Sequence, residues 1–314
     1  MITTPSFHYA DSSVLSRVFV ISQTLVMLVC HEGLTCVHHN DFRLCVSLAR
    51  AIHCAKESFP CRERHVSDPE SRRWAQRLDV YRLGRRTASG GRSAARFPGN
   101  EKNLDLAQDI RRTGWNVLYF NYRGSWGTLG NFSFGNSIED VASAVAYLRQ
   151  PENAKRLRLD PKRIVLIGHS MGGFMAVEAG AADSAIMGVG LISAADMPGR
   201  VPETLSQADE PAFINRYAAA LANEGMAPLA GCTPEGLVRE LIANAGRWRF
   251  AANVDALKTR PTQVLTSDDG LTSMGDAFVS ALTKAGNTHV TAAHFATDRI
   301  TTNDLSSPTP SANG

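Results

Sequence analysis

The chain has no Cys-x-x-Cys pair, no phosphate-binding glycine loop, no internal repeat and no long uninterrupted apolar run. Each absence excludes something. Five of the six cysteines, Cys30, Cys36, Cys45, Cys54 and Cys61, crowd into the first part of the chain, and Cys232 lies far away. An odd cluster without paired spacing builds neither a zinc knuckle nor a disulfide framework, despite His31, His38, His39 and His53 nearby. Buried or free thiols are expected, with no metal and no cofactor. The most apolar stretch, Val14–Cys30, is interrupted by Arg17, Ser22, Gln23 and Thr24. It is a poor membrane span, and Asp11 and His31-Glu32 make it a poor signal peptide. A buried strand or helix is expected there, in a cytoplasmic protein. The net charge of +3 over 314 residues is too small to argue for nucleic acid or an anionic membrane as partner. Eight arginines do fall within residues 71–100. They lack aromatic interleaving and helical period, so an Arg-rich nucleic-acid binder using residues 62–96 is the weakest of the functional classes considered.

What is present begins at Phe97. Residues 1–96 show no regular alternation of elements. Beyond them, Leu104, Leu106, Ala107 and Ile110 fall at helical spacing, and Trp115–Asn121 reads as a strand. Tyr122–Phe134 is a Gly- and Ser-rich loop. Ile138, Val141, Ala142, Val145 and Leu148 mark a second helix, and Asp160-Pro161 a turn. Arg163–Ile167 is a strand with no polar alternation, as suits a parallel sheet covered on both faces. Ser170–Gly180 is a helix of small and apolar residues, and Ile186–Ser193 a further buried strand. Helices follow at Pro211–Asn223 and Pro234–Ala245, the latter with Thr233 as N-cap and Pro234 in its first turn. Thr262–Ser267 is a strand, Ala277–Ala285 a helix, and His289–His294 the last strand. This alternation predicts an α/β fold with a doubly wound, mostly parallel sheet. Residues 97–300 form its core, and 301–314, rich in Ser, Pro and Asn, a disordered tail.

One motif carries chemistry. Gly168-His169-Ser170-Met171-Gly172-Gly173 matches G-x-S-x-G, leaving a buried strand and opening a helix at once. Glycines at 168 and 172 let backbone segments pass where a Cβ would clash. The turn lifts the Ser170 hydroxyl to the sheet edge, and the Met171 N–H faces the same space at a helix N-terminus, which favours negative charge. A serine hydroxyl needs a base, and the base an orienting acid. In chain order the acid follows the nucleophile, and Asp268-Asp269-Gly270 stands at the end of the strand Thr262–Ser267. Only one of the two carboxylates can face the site. Asp269, beside the glycine that tightens the turn, is the preferred one.

From Phe97 to about Asp298 the chain resembles bacterial α/β-hydrolases of the esterase and serine-aminopeptidase-like groups. The motifs are Pro98-Gly99-Asn100-Glu101-Lys102-Asn103, Asn121-Tyr122-Arg123-Gly124-Ser125-x-Gly127, Gly168–Gly173 and Thr266-Ser267-Asp268-Asp269-Gly270. The resemblance implies an α/β-hydrolase core, an acyl-enzyme on Ser170, oxyanion donors at the Met171 and Phe97 N–H groups, and small ester or acyl substrates. Met197–Arg249 lies between two core strands and is expected to form a helical lid over the pocket.

Two departures stand at the ends of the resemblance. Relatives carry a His-Gly pair before the Pro-Gly-Asn stretch, where this chain has Ala95-Arg96. Relatives carry the catalytic histidine directly after an aspartate beyond the last strand, where this chain has Arg299 after Asp298. Of the histidines beyond the acid, His289 and His294, the latter is nearer the strand end and is the expected base. His169, beside the nucleophile, is expected to be a packing residue. Both departures fall at edges rather than as scattered changes, as a shifted reading frame would produce. Two readings therefore compete: a serine hydrolase using Ser170, Asp269 and His294, or a catalytically impaired protein on a hydrolase fold.

Overall fold

The computed structural model describes the strands β1 (Ser16–Ser22), β2 (Leu25–His31), β3 (Arg64–Val66) and β4 (Leu78–Val80), the helix α1 (Leu104–Arg112), and residues 115–297. Phe97, the Pro98–Asn103 motif, the Arg-rich residues 82–96 and the tail lie outside the described residues, as do the cysteine side chains other than Cys232. Cys232 is a free, half-buried thiol.

The remaining elements follow the expected alternation: β5 (Trp115–Phe120), α2 (Phe134–Arg149), α3 (Pro151–Leu157), β6 (Ile164–His169), α4 (Met171–Ala182) and β7 (Gly188–Ile192). Then come α5 (Glu210–Asn223), α6 (Pro234–Trp248), α7 (Val254–Leu257), β8 (Thr262–Ser267), α8 (Thr272–Lys284) and β9 (Val290–Phe295). The short helix α3 was not anticipated, and α8 begins a turn earlier than its apolar spacing suggested. Thr233 caps α6 as expected, its hydroxyl accepting from the Gly236 N–H at 3.0 Å.

The strands form one sheet in the order β3-β4-β5-β1-β2-β6-β7-β8-β9. β6 to β9 pair in parallel, and β2 and β4 run against their neighbours. The apolar stretch 14–30 thus resolves into strands, a hairpin seated between β5 and β6. Alternate residues feed two cores, because side chains in a strand point to opposite faces. Leu166, Leu191 and Val264 pack with α2, α4 and α8, whereas Val165, Ile167, Ile192 and Leu265 pack with Leu106, Ala107 and Ile110 of α1. Burial on both faces explains why β6 and β7 carry no polar alternation. Each large side chain so buried contributes about 1.5–3 kcal/mol. No described helix is long and apolar enough to cross a membrane.

The helical segment between β7 and β8 is anchored to the core in two ways. Trp248 of α6 packs edge-on against Phe174 of α4, with ring centroids 5.9 Å apart, and Phe174 in turn meets Phe134 of α2 at 6.1 Å. Glu240 of α6 accepts from the Phe134 and Gly135 N–H groups, both at 2.9 Å. Those N–H groups open α2 and have no partner within the helix. The Ser133 hydroxyl takes a third, from Asn136, at 3.0 Å. Glu240→Ala is therefore expected to destabilise the fold by about 1–2 kcal/mol, read as a lower thermal midpoint by circular dichroism. An unchanged midpoint would show that the cap contributes nothing.

Candidate active site

Ser170 stands between β6 and α4 with φ 53° and ψ −121°. A non-glycine residue in this region costs about 1–3 kcal/mol, and surrounding contacts must hold it there. The Ser170 N–H donates to the Ile192 carbonyl at 3.0 Å, and the Ser170 carbonyl accepts from Ala195 and Gly173, each at 3.0 Å. The neighbouring strand β7 and the chain leaving it thus grip the bend. Glycine is required around it: a Cβ at 168 would overlap the Gly172 carbonyl, and one at 173 would overlap the Ala194 side chain. All of Met171–Gly180 is buried, so α4 shows no polar face and owes its close approach to small residues. Met171 is its first residue, so its N–H lies outside the helix's own bonding and is open to a developing negative charge. No described side chain hydrogen-bonds the Ser170 hydroxyl, which is half-buried.

The acid turn is ordered by a chain of hydroxyl groups. The Ser267 hydroxyl donates to Asp269 Oδ2 at 3.0 Å, and the Leu271 N–H donates to Oδ1 at 2.9 Å. Ser193, itself at φ 43° at the end of β7, lies 3.0 Å from Ser267 Oγ. With the Ser267 proton committed to Asp269, Ser193 is the donor in that pair. Asp269 acts electrostatically on His169, raising the affinity of that ring for a proton. Desolvation outweighs it and holds His169 below the ordinary imidazole range. His169 is thus a half-buried, desolvated ring that feels the Asp269 charge.

His294 sits elsewhere. Its Nε2 lies 3.2 Å from Asp268 Oδ1, and its Nδ1 shares a hydrogen bond with Thr266 Oγ1 at 3.1 Å. The carboxylate facing this imidazole is therefore Asp268, whereas Asp269 was expected to orient it. The sheet register explains the separation from the serine. His169 pairs with Ile192, Ile192 with Leu265, and Leu265 with Ala293. Ser170 and His294 are next along those same strands, three strand spacings apart. At about 4.8 Å per spacing, that is roughly 14 Å between backbones, beyond the combined reach of the two side chains. Ser170, Met171 and Asp269 stand at the carboxyl edge of the sheet, as does His294, whose ring pairs with Asp268. Among the described residues no group of His, Cys, Asp and Glu could hold a metal ion.

A sequence model described as the alpha/beta hydrolase family matches residues 103–299, more than half of the chain. The chain belongs to the alpha/beta hydrolase family. Solved structures of this fold are similar to it over most of its length. They include an esterase B from Lactobacillus rhamnosis, at 16% identity and TM-score 0.47, covering 81% of this chain and 82% of that one. Carboxyl esterase 2 of Tuber melanosporum is 15% identical with TM-score 0.48, covering 79% and 86%. No curated protein matches.

The sequence did not point to Ser193 or Ser267 and left Asp268 as the alternative to Asp269, because ordinary serines carry no signal until register places them side by side. The elbow itself was legible because its glycines are dictated by contact. Gly168→Ala is expected to destabilise the protein by about 3 kcal/mol or more and to abolish covalent labelling of Ser170 by a fluorophosphonate. Full labelling of a stably folded Gly168→Ala variant would disprove the need for close approach at this turn.

Proposed function

We propose that the protein is a serine hydrolase of small esters in which Ser170 accepts the acyl group and deacylation limits turnover. The observation that carries this reading is the strained turn that presents Ser170 at the carboxyl edge of β6, at the head of a helix with a free Met171 N–H. The serine oxygen attacks the ester carbonyl carbon, the Met171 N–H holds the oxyanion, and the alkoxide leaves with the proton from Ser170. The Phe97 N–H is the second proposed donor, and residues 197–249 are proposed as the lid over the acyl pocket. Water then cleaves the acyl-enzyme and regenerates the serine. General-base assistance contributes about 10²–10⁴-fold, and attack by water on the acyl-enzyme depends on it more than attack by Ser170 on an ester with a good leaving group. Three observations support slow turnover: His294 is occupied with Asp268 and Thr266, it stands three strands away, and position 299 carries arginine instead of the relatives' histidine.

This proposal has a direct test. p-Nitrophenyl acetate should give a burst of nitrophenol followed by slow release, with the acetyl group found on Ser170 by mass spectrometry. Ser170→Ala should abolish both phases. Arg299→His should raise the slow rate by about a hundredfold or more, whereas His294→Ala should leave labelling and burst intact. An unchanged reaction in Ser170→Ala would reject the nucleophile. Loss of the burst in His294→Ala would restore that residue as base. The second reading, a hydrolase fold without turnover, is favoured by the same separation of His294. Labelling by a fluorophosphonate with no nitrophenol release beyond one equivalent, in both the native chain and Arg299→His, would decide for it.

A further inference from the structure

Glu178 is the one charged residue in Met171–Ala182 and is buried in the helix that Ser170 opens. Its Oε1 accepts from Asn253 Nδ2 at 2.6 Å, and the same amide nitrogen donates to the Arg249 carbonyl at 3.1 Å. Both partners belong to the stretch by which the helical segment between β7 and β8 returns to the core. A second carboxyl group works at the same neck. Asp196, where the segment departs, accepts from the Gly199 N–H at 2.9 Å and from the Phe250 N–H at 3.2 Å. It thereby ties the outgoing root to the returning one. Two residues before it, Ala194 packs on Gly173, and Ala195 donates to the Ser170 carbonyl. The neck of the helical segment and the nucleophile turn are thus one connected piece.

We infer that Glu178 is a proton-controlled latch on this neck: its protonated carboxyl holds residues 249–253 against α4, and its ionisation releases them. The surroundings favour the neutral acid. Among the described residues the hydrogen bond to the Glu178 carboxyl comes from a neutral amide, which favours the anion but by less than burial disfavours it. The charges acting on it are Asp196, which repels its anion, and Arg247, which is exposed and lies over the Trp248 ring at 5.0 Å. Arg249 acts on Asp196 instead and bonds the Val201 carbonyl. Burial, the largest influence, pushes Glu178 from 4.5 up to about 8, and Asp196 is raised for the same reason. When the neck opens, Glu178 regains water and its ordinary acidity. The closed form therefore binds the extra proton between about pH 4.5 and 8. Its stability relative to the open form is fully present below that window, declines through it, and levels off above it.

Amide hydrogen exchange over residues 196–203 and 249–253 of the full chain tests this. After correction for intrinsic exchange, opening in the native protein should rise about tenfold per pH unit up to about pH 8 and then flatten. Glu178→Gln keeps the acceptor for Asn253 but cannot ionise, so its opening should lose the part of the pH dependence that Glu178 carries and keep only the part due to Asp196. Thermal midpoints should agree, the two proteins diverging in favour of the variant as pH rises and running parallel above about pH 8. Equal pH dependence of opening in both proteins would overturn the latch. Neither measurement involves acylation of Ser170, so it stands or falls separately from the proposed hydrolysis.

Discussion

The structure turns on a bend that an ordinary serine would not adopt unaided. At φ 53° Ser170 occupies backbone territory that costs about 1–3 kcal/mol, and everything near it serves to hold it there. Its N–H is taken by Ile192 and its carbonyl by Ala195 and Gly173. The absent side chains of Gly168 and Gly173 make room for the crossing backbone and for Ala194. Because these contacts come from β7 and the chain beyond it, the bend depends on the sheet being assembled, and the packing of the sheet in turn supplies the energy that offsets the strain.

That dependence explains how the helical segment joins the site. The residues that grip the bend, Ser193 to Ala195, run directly into Asp196, and Asp196 fastens both roots of the segment. Phe174, four residues along α4 from the nucleophile, meets Trp248 at the end of α6. Glu240 closes the ring by capping α2 from the segment's second helix. The segment is therefore joined to the Ser170 bend by hydrogen bonds at its neck and by packed aromatic rings.

The two carboxylates of the acid turn show how proximity in sequence separates into different roles. Asp269 is fixed by Ser267, with Ser193 behind it, and by the Leu271 N–H. Asp268 projects to the other strand and meets His294. Both stand in the turn that follows β8, not in the strand. One is held within its own turn and the other is paired across to β9.

The sequence by itself determined the α/β alternation, the strand boundaries of β8, the cap at Thr233 and the serine turn. Each of these is written in local terms: apolar periodicity, a capping residue, glycines at fixed offsets. Membership of the alpha/beta hydrolase family follows from the same local motifs and is shown by the match over residues 103–299. Only the tertiary structure decided that the stretch 14–30 enters the sheet as a hairpin between β5 and β6. It alone placed His294 three strands from Ser170 and gave its imidazole to Asp268, and it alone buried Glu178 beside Asn253 and Asp196. These outcomes depend on strand order and register, which relate residues far apart in the chain and leave no periodic trace in it.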